Sequence, residues 1–520
     1  MTDLADRGAA RTDPPDAVLD AVLDAAAPVP LWLDTPARPA ARRPLRGDAD
    51  CDLVVVGGGF TGLWTALRAV ERQPGRRVLL LEADRVAEHA TGRNGGFCEA
   101  SLTHGEANGR DRWPGEYDVL DRLGRENLDA LAATVARHGI DCGFARTGVL
   151  TVATRPHEVA GLEPDRPGFL DAAAVRAVVD SPTYLAGRVV PDGCALVDPA
   201  RLAWGLAAAA ESLGVRIAEG TPAASVGRQG ARVVVRTAAG RVTADRVVLA
   251  TSAFRPLLGR LRLHTVPVYD HVLATEPLTP AQLASVGWAG RQGVADSGNR
   301  FHYYRLTDDD RVVWGGYAAV YHFGRRIDPA LEDRRATHRL LAAHFAETFP
   351  QLAGVRFSHR WGGSSTPAPG SALSTARPCA GAWATRWASP GSASAPPASP
   401  PTSCSTCSTA RTPSAPGWPW SAAAPCRSRP SRWPGPASRS PGGRWPGPIA
   451  PAGATPGCAP STGSGSASTA DVGVPGRRAT ASGGAAPAPP RGGPQGCRVG
   501  RRPPLPPEEP PCPHRPRRTG

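Results

Sequence analysis

Two apolar patterns alternate along the first 363 residues. Residues 53–56 and 78–81 are short continuous apolar runs, the pattern of strands covered on both faces of a parallel sheet. Between them Leu63, Ala66, Leu67 and Val70 recur at helical spacing, and Pro74-Gly75 ends the helix. Residues 117–138 carry Tyr117, Leu120, Leu123, Leu128, Leu131 and Val135 on one stripe, which predicts an amphipathic helix. Asp198-Pro199 predicts another helix start, with Asp198 as cap and Pro199 in the first turn.

Later segments read as strands. Residues 215–218, 223–226, 232–237 and 242–251, punctuated by Gln229-Gly230 and Ala239-Gly240, predict a small antiparallel layer. It returns to the main sheet through Val247-Val248-Leu249-Ala250-Thr251. From 261 to 321 the strands lengthen and become aromatic: 266–275, 301–306 and 311–316, the last two joined by a turn at Thr307-Asp308-Asp309-Asp310. Residues 144–154 and a start at 357–361 add strands, and 329–349 reads as helix. The expected class is α/β: a Rossmann-like parallel sheet with an inserted α+β domain, followed by an abnormal tail. The expected divisions are a mobile extension over 1–48, docked by Leu31, Trp32 and Leu33; a nucleotide domain over 49–104 and 195–260; a second domain over 105–194 and 261–363; and a tail over 364–520.

The stretch from Asp52 to Glu82 carries the strongest chemical signal. Gly57-Gly58-Gly59-Phe60-Thr61-Gly62 fits G-x-G-x-x-G between a strand and a helix. Gly57 permits the tight turn, Gly59 lets backbone approach a pyrophosphate, and Gly62 allows close helix-on-strand packing, while the helix N-terminus presents N–H groups to the anion. Glu82 closes the next strand 20 positions after Gly62, where a carboxylate accepts the hydroxyls of an adenosine ribose. A lone glycine triplet is weak, but strand, turn, helix, strand and acid in register predict dinucleotide binding.

Charge divides the chain. The net charge is +14, yet up to Gly363 the 43 acids are matched by 43 arginines; the tail holds the other 17 arginines against 3 acids. A basic tail suggests nucleic acid or anionic membrane, but these arginines are scattered among Pro, Ser, Ala and Gly, and no nucleic-acid partner is expected. Four scattered cysteines in the body suggest a reducing compartment. Cys404-x-x-Cys407 lacks a second pair at zinc spacing, so no metal is expected. No run approaches about 20 apolar residues, so no membrane span is expected. The polar N-terminus is unlike a signal peptide, and the cytoplasm is the expected location.

After Glu82, Ala90-Thr91-Gly92-Arg93-Asn94-Gly95-Gly96-Phe97 forms a second glycine-rich segment, able to approach a flat cofactor by its backbone, with Arg93 available to a phosphate. With the first motif, this element resembles the FAD-dependent D-amino acid oxidase-like oxidoreductases, in the branch similar to gamma-glutamylputrescine oxidase. The resemblance implies FAD as cofactor, held by Gly57, Gly59, Gly62, Glu82, Arg93, Asn94 and Gly95, with Val226 near adenine and Ala250-Thr251 near the pyrophosphate. It implies a sheet that carries an amine or amino acid over the flavin, with Tyr269, Tyr303 and Arg305 among its lining side chains. Arg305 could pair a substrate carboxylate bidentately or cross-link strand neighbours. It further implies hydride transfer from a carbon bearing an amino group, hydrolysis of the imine, and O2 as acceptor in an oxidase. An NAD enzyme could use the same first glycines, but the second element suits a flavin. His89 and Cys98 lie close enough to that element to raise the question of a covalent flavin link.

After Gly363 the apolar periodicity stops, prolines multiply, and tryptophans occur with no core pattern around them. Disordered segments are poor in aromatics, which argues against a simple disordered tail. A change of reading frame near codon 363 in a GC-rich gene explains the composition better. With suitable codons, 387–399 regroups as Leu-Gly-Phe-Thr-Gly-Leu-Gly-Val-Gly-Ala-Thr-Arg-Phe, similar to the glycine-rich segment by which the family closes its FAD site. The alternative expectation is therefore a catalytically dead or unfolded product with an incomplete site.

Overall fold

The computed structural model describes residues 15–262 and 265–366, with the backbone of Ser374–Ala376 and Trp383–Trp387. All of these fall within one unit, Met1–Ser428. In chain order come α1 (Asp16–Leu23), β1 (Ala49–Val56), α2 (Phe60–Arg72), β2 (Val78–Leu81) and β3 (Phe97–Glu99). A first excursion follows: α3 (Glu106–Arg112), α4 (Tyr117–Arg137), β4 (Val149–Ala153), α5 (Pro156–Val159), β5 (Phe169–Leu170), α6 (Ala172–Val178) and β6 (Ala186–Val190). The chain returns through β7 (Cys194–Leu196), α7 (Pro199–Ser212) and β8 (Arg216–Ala218) to the meander β9 (Ala223–Gln229), β10 (Arg232–Thr237) and β11 (Gly240–Leu249). A second excursion contains β12 (Val268–Thr275), α8 (Pro280–Val286), β13 (Gly293–Asp296), β14 (His302–Leu306), β15 (Val312–Gly316), α9 (Arg335–Thr348) and β16 (Phe357–Ser365). The last strands are β17 (Ser374–Ala376) and β18 (Trp383–Trp387).

The main sheet runs β17-β18-β11-β1-β2-β8, with β10 and β9 branching from β11. β18, β11, β1, β2 and β8 are parallel neighbours; Val54 sits between Val247 and Leu79. The apolar runs in β1 and β2 have a simple cause. Leu53, Val55 and Leu80 pack beneath α2 and α7, against Leu63, Leu67, Leu202 and Leu206. Val54, Val56, Leu79 and Leu81 face the other way, where Val233 and Val235 of the meander cover them. Both faces are dry, so neither tolerates a polar residue. Asp198 caps α7 as its sequence predicts, accepting N–H bonds from Ala200 and Arg201.

The second sheet runs β16-β12-β15-β14-β13-β4-β6-β5. One face carries Leu273, Tyr304, Val312, Trp314 and Phe357, which pack with Leu341 and Phe345 of α9. The opposite face carries Val272, Ala274, Val313 and Trp361, which join the core beneath α2 and α7. This second face is the one that meets the nucleotide-binding region.

Several elements depart from expectation. The predicted mobile extension is packed from Pro15 onward: Leu19 and Leu23 of α1 are buried on the α9 side, and Asp20 pairs with Arg335 and Arg339. Further along, Arg42 bridges Glu211 at 2.7 Å and Glu219 at 3.3 Å. The expected boundary at Gly363 is crossed as well. β16 continues to Ser365, and β18 pairs in parallel with β11, Val247 opposite Trp383, so the main sheet extends into a region expected to contribute nothing to it. An unpaired strand edge such as that of β11 offers N–H and C=O groups to any extended segment. The other tail expectations, including Cys404, Cys407 and most of 387–399, lie outside the described residues. The helix expected from 329 begins at Arg335, after a single turn at Pro329–Leu331 capped by Asp328.

Candidate cofactor and substrate site

The first glycine-rich turn is shaped by its own neighbours. Gly57 has φ 112°, and a Cβ there would lie 2.5 Å from the Ala250 carbonyl oxygen. A Cβ at Gly62 would overlap the Gly57 carbonyl oxygen, which is why helix α2 can start directly against β1. Gly59 caps α2 with no side chain of its own. Thr91 from the second glycine-rich element reaches it: its Oγ1 accepts the Phe60 N–H at 3.2 Å. Glu82 lies beside the turn, buried, accepting N–H bonds from Gly58 at 2.5 Å and Asp84 at 2.9 Å. Burial raises its carboxyl above the usual range, and the two peptide donors oppose this. Each Glu82 oxygen keeps a second lone pair for a ribose hydroxyl.

Ala250 and Thr251 follow β11 next to Gly57, with the Ala250 N–H bound to Val56 at 2.8 Å. Val226 is half-buried on β9 and packs on the cluster that contains Val56 and Leu81. A glycine-started helix N-terminus, close glycine backbone and a buried acid at the end of the second strand fit the ADP portion of FAD. Glu82, Asp84 and His89 bring three ligand atoms within 4.8 Å, but Asp84 already holds His89 at 2.6 Å and Glu82 holds the two peptides.

The second element is held differently. Asn94 folds back on it, donating from Nδ2 to Ala90 and Thr91 carbonyls at 3.1 and 2.7 Å and accepting the Gly96 N–H at 2.9 Å. Arg93 pairs with Glu332 and donates to the carbonyls of Glu88 at 2.7 Å and Gly362 at 3.0 Å. Its guanidinium, expected to be available to a phosphate, serves as a strut to the second sheet. Two indoles pin successive carbonyls: Trp32 Nε1 donates to Asn94 O and Trp361 Nε1 to Arg93 O, each at 2.8 Å. Gly95 lies flat on Tyr303, where a Cβ would come 2.6 Å from the ring.

Period two places Tyr303 and Arg305 on the face of the second sheet that meets this element. Arg305 is buried and donates to Val197 O at 2.7 Å and Leu306 O at 3.2 Å, with its guanidinium 5.7 Å from the Trp32 ring. Burial lowers it to about 10, with Asp308 and Asp198 opposing. The side chain expected to meet a substrate carboxylate is engaged with the protein's own carbonyls. Tyr269 points to the other face, where its hydroxyl accepts the Asp328 N–H at 3.0 Å and its ring meets His322 edge-on at 5.2 Å. The structure therefore brings Tyr303 and Arg305 together and leaves Tyr269 apart.

Asp270, one residue on, lies on the same face as Tyr303, whose ring lies against Gly95. Its Oδ2 accepts the Tyr303 hydroxyl at 2.6 Å, and peptide N–H groups of His271 and Gly316 also serve it. Burial pushes its carboxyl up to about 6 against these donors. The sequence held one signal of it: an acid in the middle of an apolar, β-branched strand, where acids are depleted. Of the two residues considered for a covalent flavin link, Cys98 is buried in the apolar core, which raises its thiol, and His89 pairs with Asp84.

A parallel sheet with a dinucleotide-type turn, whose second glycine-rich element lies against a separate, aromatic sheet, points to a flavin-dependent oxidoreductase. Residues 52–399 match the family of FAD dependent oxidoreductases, and the chain belongs to that family. It is 34% identical over 334 residues to the gamma-glutamylputrescine oxidoreductase of Escherichia coli K12, covering 60% of this chain and 73% of that one. Glycine oxidase from Geobacillus kaustophilus shares the fold at 19% identity and TM-score 0.53, over 65% of this chain and 89% of that one. L-proline dehydrogenase from P. horikoshii does so at 17% and 0.54, over 68% and 90%. The chain is an FAD-dependent enzyme. Among the described residues no helix is long and apolar enough to cross a membrane.

Proposed function

We propose that this enzyme oxidises a carbon–nitrogen bond of a small amine, with Asp270 and Tyr303 receiving the amine. The observation that carries the reading is the Tyr303–Asp270 hydrogen bond of 2.6 Å, on the face of the second sheet that lies against Gly95. Bound FAD supplies the two-electron acceptor. The rest of the chemistry falls to the protein's side chains. An ionised Asp270 attracts the ammonium form of an amine and accepts its proton, so that the nitrogen lone pair is available when the adjacent carbon is oxidised. Tyr303 orients the carboxylate through its hydroxyl. With Arg305 committed to Val197 and Leu306, the described face offers a carboxylate to a cation more readily than a cation to a carboxylate. This favours an amine over an α-amino acid, in keeping with the amine derivative in the name of the Escherichia coli relative.

Hydride transfer to the flavin, hydrolysis of the resulting imine and reoxidation by O2 complete the proposed reaction. Among the described residues Cys51, Cys98, Cys142 and Cys194 are free and buried, which supports a cytoplasmic setting. The test is anaerobic reduction of the purified yellow protein with a panel of monoamines, diamines and α-amino acids, followed at the flavin absorbance. Bleaching by amines is the expected result. A flavin-loaded protein that only amino acids bleach would refute the substrate assignment.

A second reading rests on the switch from zero net charge up to Gly363 to +14 beyond it. We propose that the gene changes frame near that point, so that this product carries an incomplete FAD site. Resequencing the gene decides it: an uninterrupted frame through codon 399, with codons that do not regroup into the glycine-rich segment, would remove this reading.

A further inference from the structure

The second glycine-rich element has few regular hydrogen bonds of its own, yet its backbone is fixed from outside at two successive peptides. Trp32 lies in a single turn, Leu31–Leu33, of the N-terminal arm, and Trp361 lies in β16 near the other end of the described chain. Both rings are buried, and both indole N–H groups end on this element, on Asn94 O and Arg93 O. In a trans peptide the C=O and the following N–H point in opposite directions. Pinning these two carbonyls therefore also aims the N–H groups of Asn94 and Gly95 away from the indoles. Leu33 adds a steric guide, since a Cβ at Gly92 would come 2.9 Å from its Cδ2. Beneath Trp32, Arg305 fixes the ring and reaches Val197, whose N–H donates to Gly96 O at 2.9 Å.

We propose that Trp32 and Trp361 are positioning residues for FAD, an indole clamp that presets the backbone of residues 93–95, and that the N-terminal arm is thereby part of the cofactor site. This rests on the FAD reading of the two glycine-rich elements. The clamp explains why an Ala/Pro-rich arm is tied down by ion pairs of Asp20 with Arg335 and Arg339 and of Arg42 with Glu211 and Glu219. A preset loop binds a flat ligand without losing the entropy of ordering it.

The test uses the full chain with Trp32→Phe and Trp361→Phe, which keep an aromatic ring and remove the N–H. Trp288→Phe serves as the comparison, because Trp288 Nε1 makes an equivalent bond, 3.0 Å to Gln292 O, in the second domain. FAD affinity is read by quenching of flavin fluorescence, and the environment of the bound flavin by its visible spectrum and midpoint potential. Each clamp variant is expected to raise the FAD dissociation constant by about 3–10-fold, the worth of one buried hydrogen bond. A shifted flavin spectrum is expected with it, and Trp288→Phe should change neither. Wild-type affinity and spectrum in both clamp variants would overturn the proposal. A mutation-free measurement covers variants that fail to accumulate: FAD added to the wild-type chain should slow amide hydrogen exchange in residues 30–35 and leave α8 unchanged. Unchanged exchange over 30–35 in flavin-loaded protein would equally overturn it. A wild-type chain that takes up no FAD would refute the cofactor reading and the clamp together, a result distinct from flavin bound without help from the indoles.

Discussion

The two glycine-rich elements proposed to hold FAD are built by opposite means. At Gly57–Gly62 the constraints are mostly backbone on backbone within a strand, a turn and a helix, with the Glu82 carboxylate beside the turn and Ala250 O and the Thr91 hydroxyl contributed from afar. At Ala90–Gly96 they are side chains from Trp32, Tyr303, Glu332 and Trp361 closing on a short loop. The first element is an autonomous local solution. The second exists only because the second sheet and the N-terminal arm arrive.

The largest break in this comparison is Gly62→Ala. The added methyl meets a backbone oxygen that β1 and α2 hold rigidly, so the variant is expected to lose flavin binding and most of its soluble yield, measured by flavin absorbance per protein. No second-site change should rescue it. Next comes Asp270→Asn, which removes the proposed amine-binding charge and is expected to lower the rate of flavin reduction about a hundredfold. The sign with pH follows from the raised carboxyl. Above about 6 Asp270 is ionised and the wild-type reaction is fast; as pH falls through about 6 it is protonated and the rate drops. The variant should lose that limb of the pH profile. Because the folded protein raises this carboxyl above its unfolded value, ionised Asp270 opposes folding at higher pH. Asp270→Asn should therefore melt higher than wild type at pH 8 while being slower, an outcome that differential scanning calorimetry and stopped-flow together check.

Gly95→Ala sharpens the contrast with Gly62. Its added methyl meets a side chain, Tyr303, and is expected to cost about 2 kcal/mol by chemical denaturation. Tyr303→Leu in the same chain should recover part of that stability, as no partner change can for Gly62→Ala. The smallest effect is expected from Glu82→Gln, which keeps the shape but replaces one of the two oxygens that accept the Gly58 and Asp84 N–H groups: FAD affinity should fall about tenfold, as titrated by fluorescence.

Local rules made the first half of the site legible. The turn, the helix start and Glu82 follow from glycine sterics, helix dipoles and strand length, all within 31 consecutive residues. In the second sheet, alternation showed that Tyr303 and Arg305 share a face and that Tyr269 and Asp270 oppose one another. It could not say which face meets the nucleotide domain, because both faces are dry and only the partners differ. Tyr269 was favoured on chemistry, and the alternation of β12 turned it away, toward Asp328 and His322. The N-terminal arm was misjudged for a similar reason. Composition with little local preference is held by ion pairs from Asp20 to Arg335 and Arg339 that no window of the chain contains.

By itself the sequence determined the strand–turn–helix–strand unit of residues 52–82 and the family, since the glycine turn, the helix start and the acid after the second strand are local features. Only the tertiary structure decided that Asp270 joins Tyr303 on the face that meets Gly95, that Arg93 and Arg305 are struts, and that two distant tryptophans hold one loop. Those outcomes depend on which surfaces meet once the elements exist, and apolar periodicity records that a face is buried without recording against what.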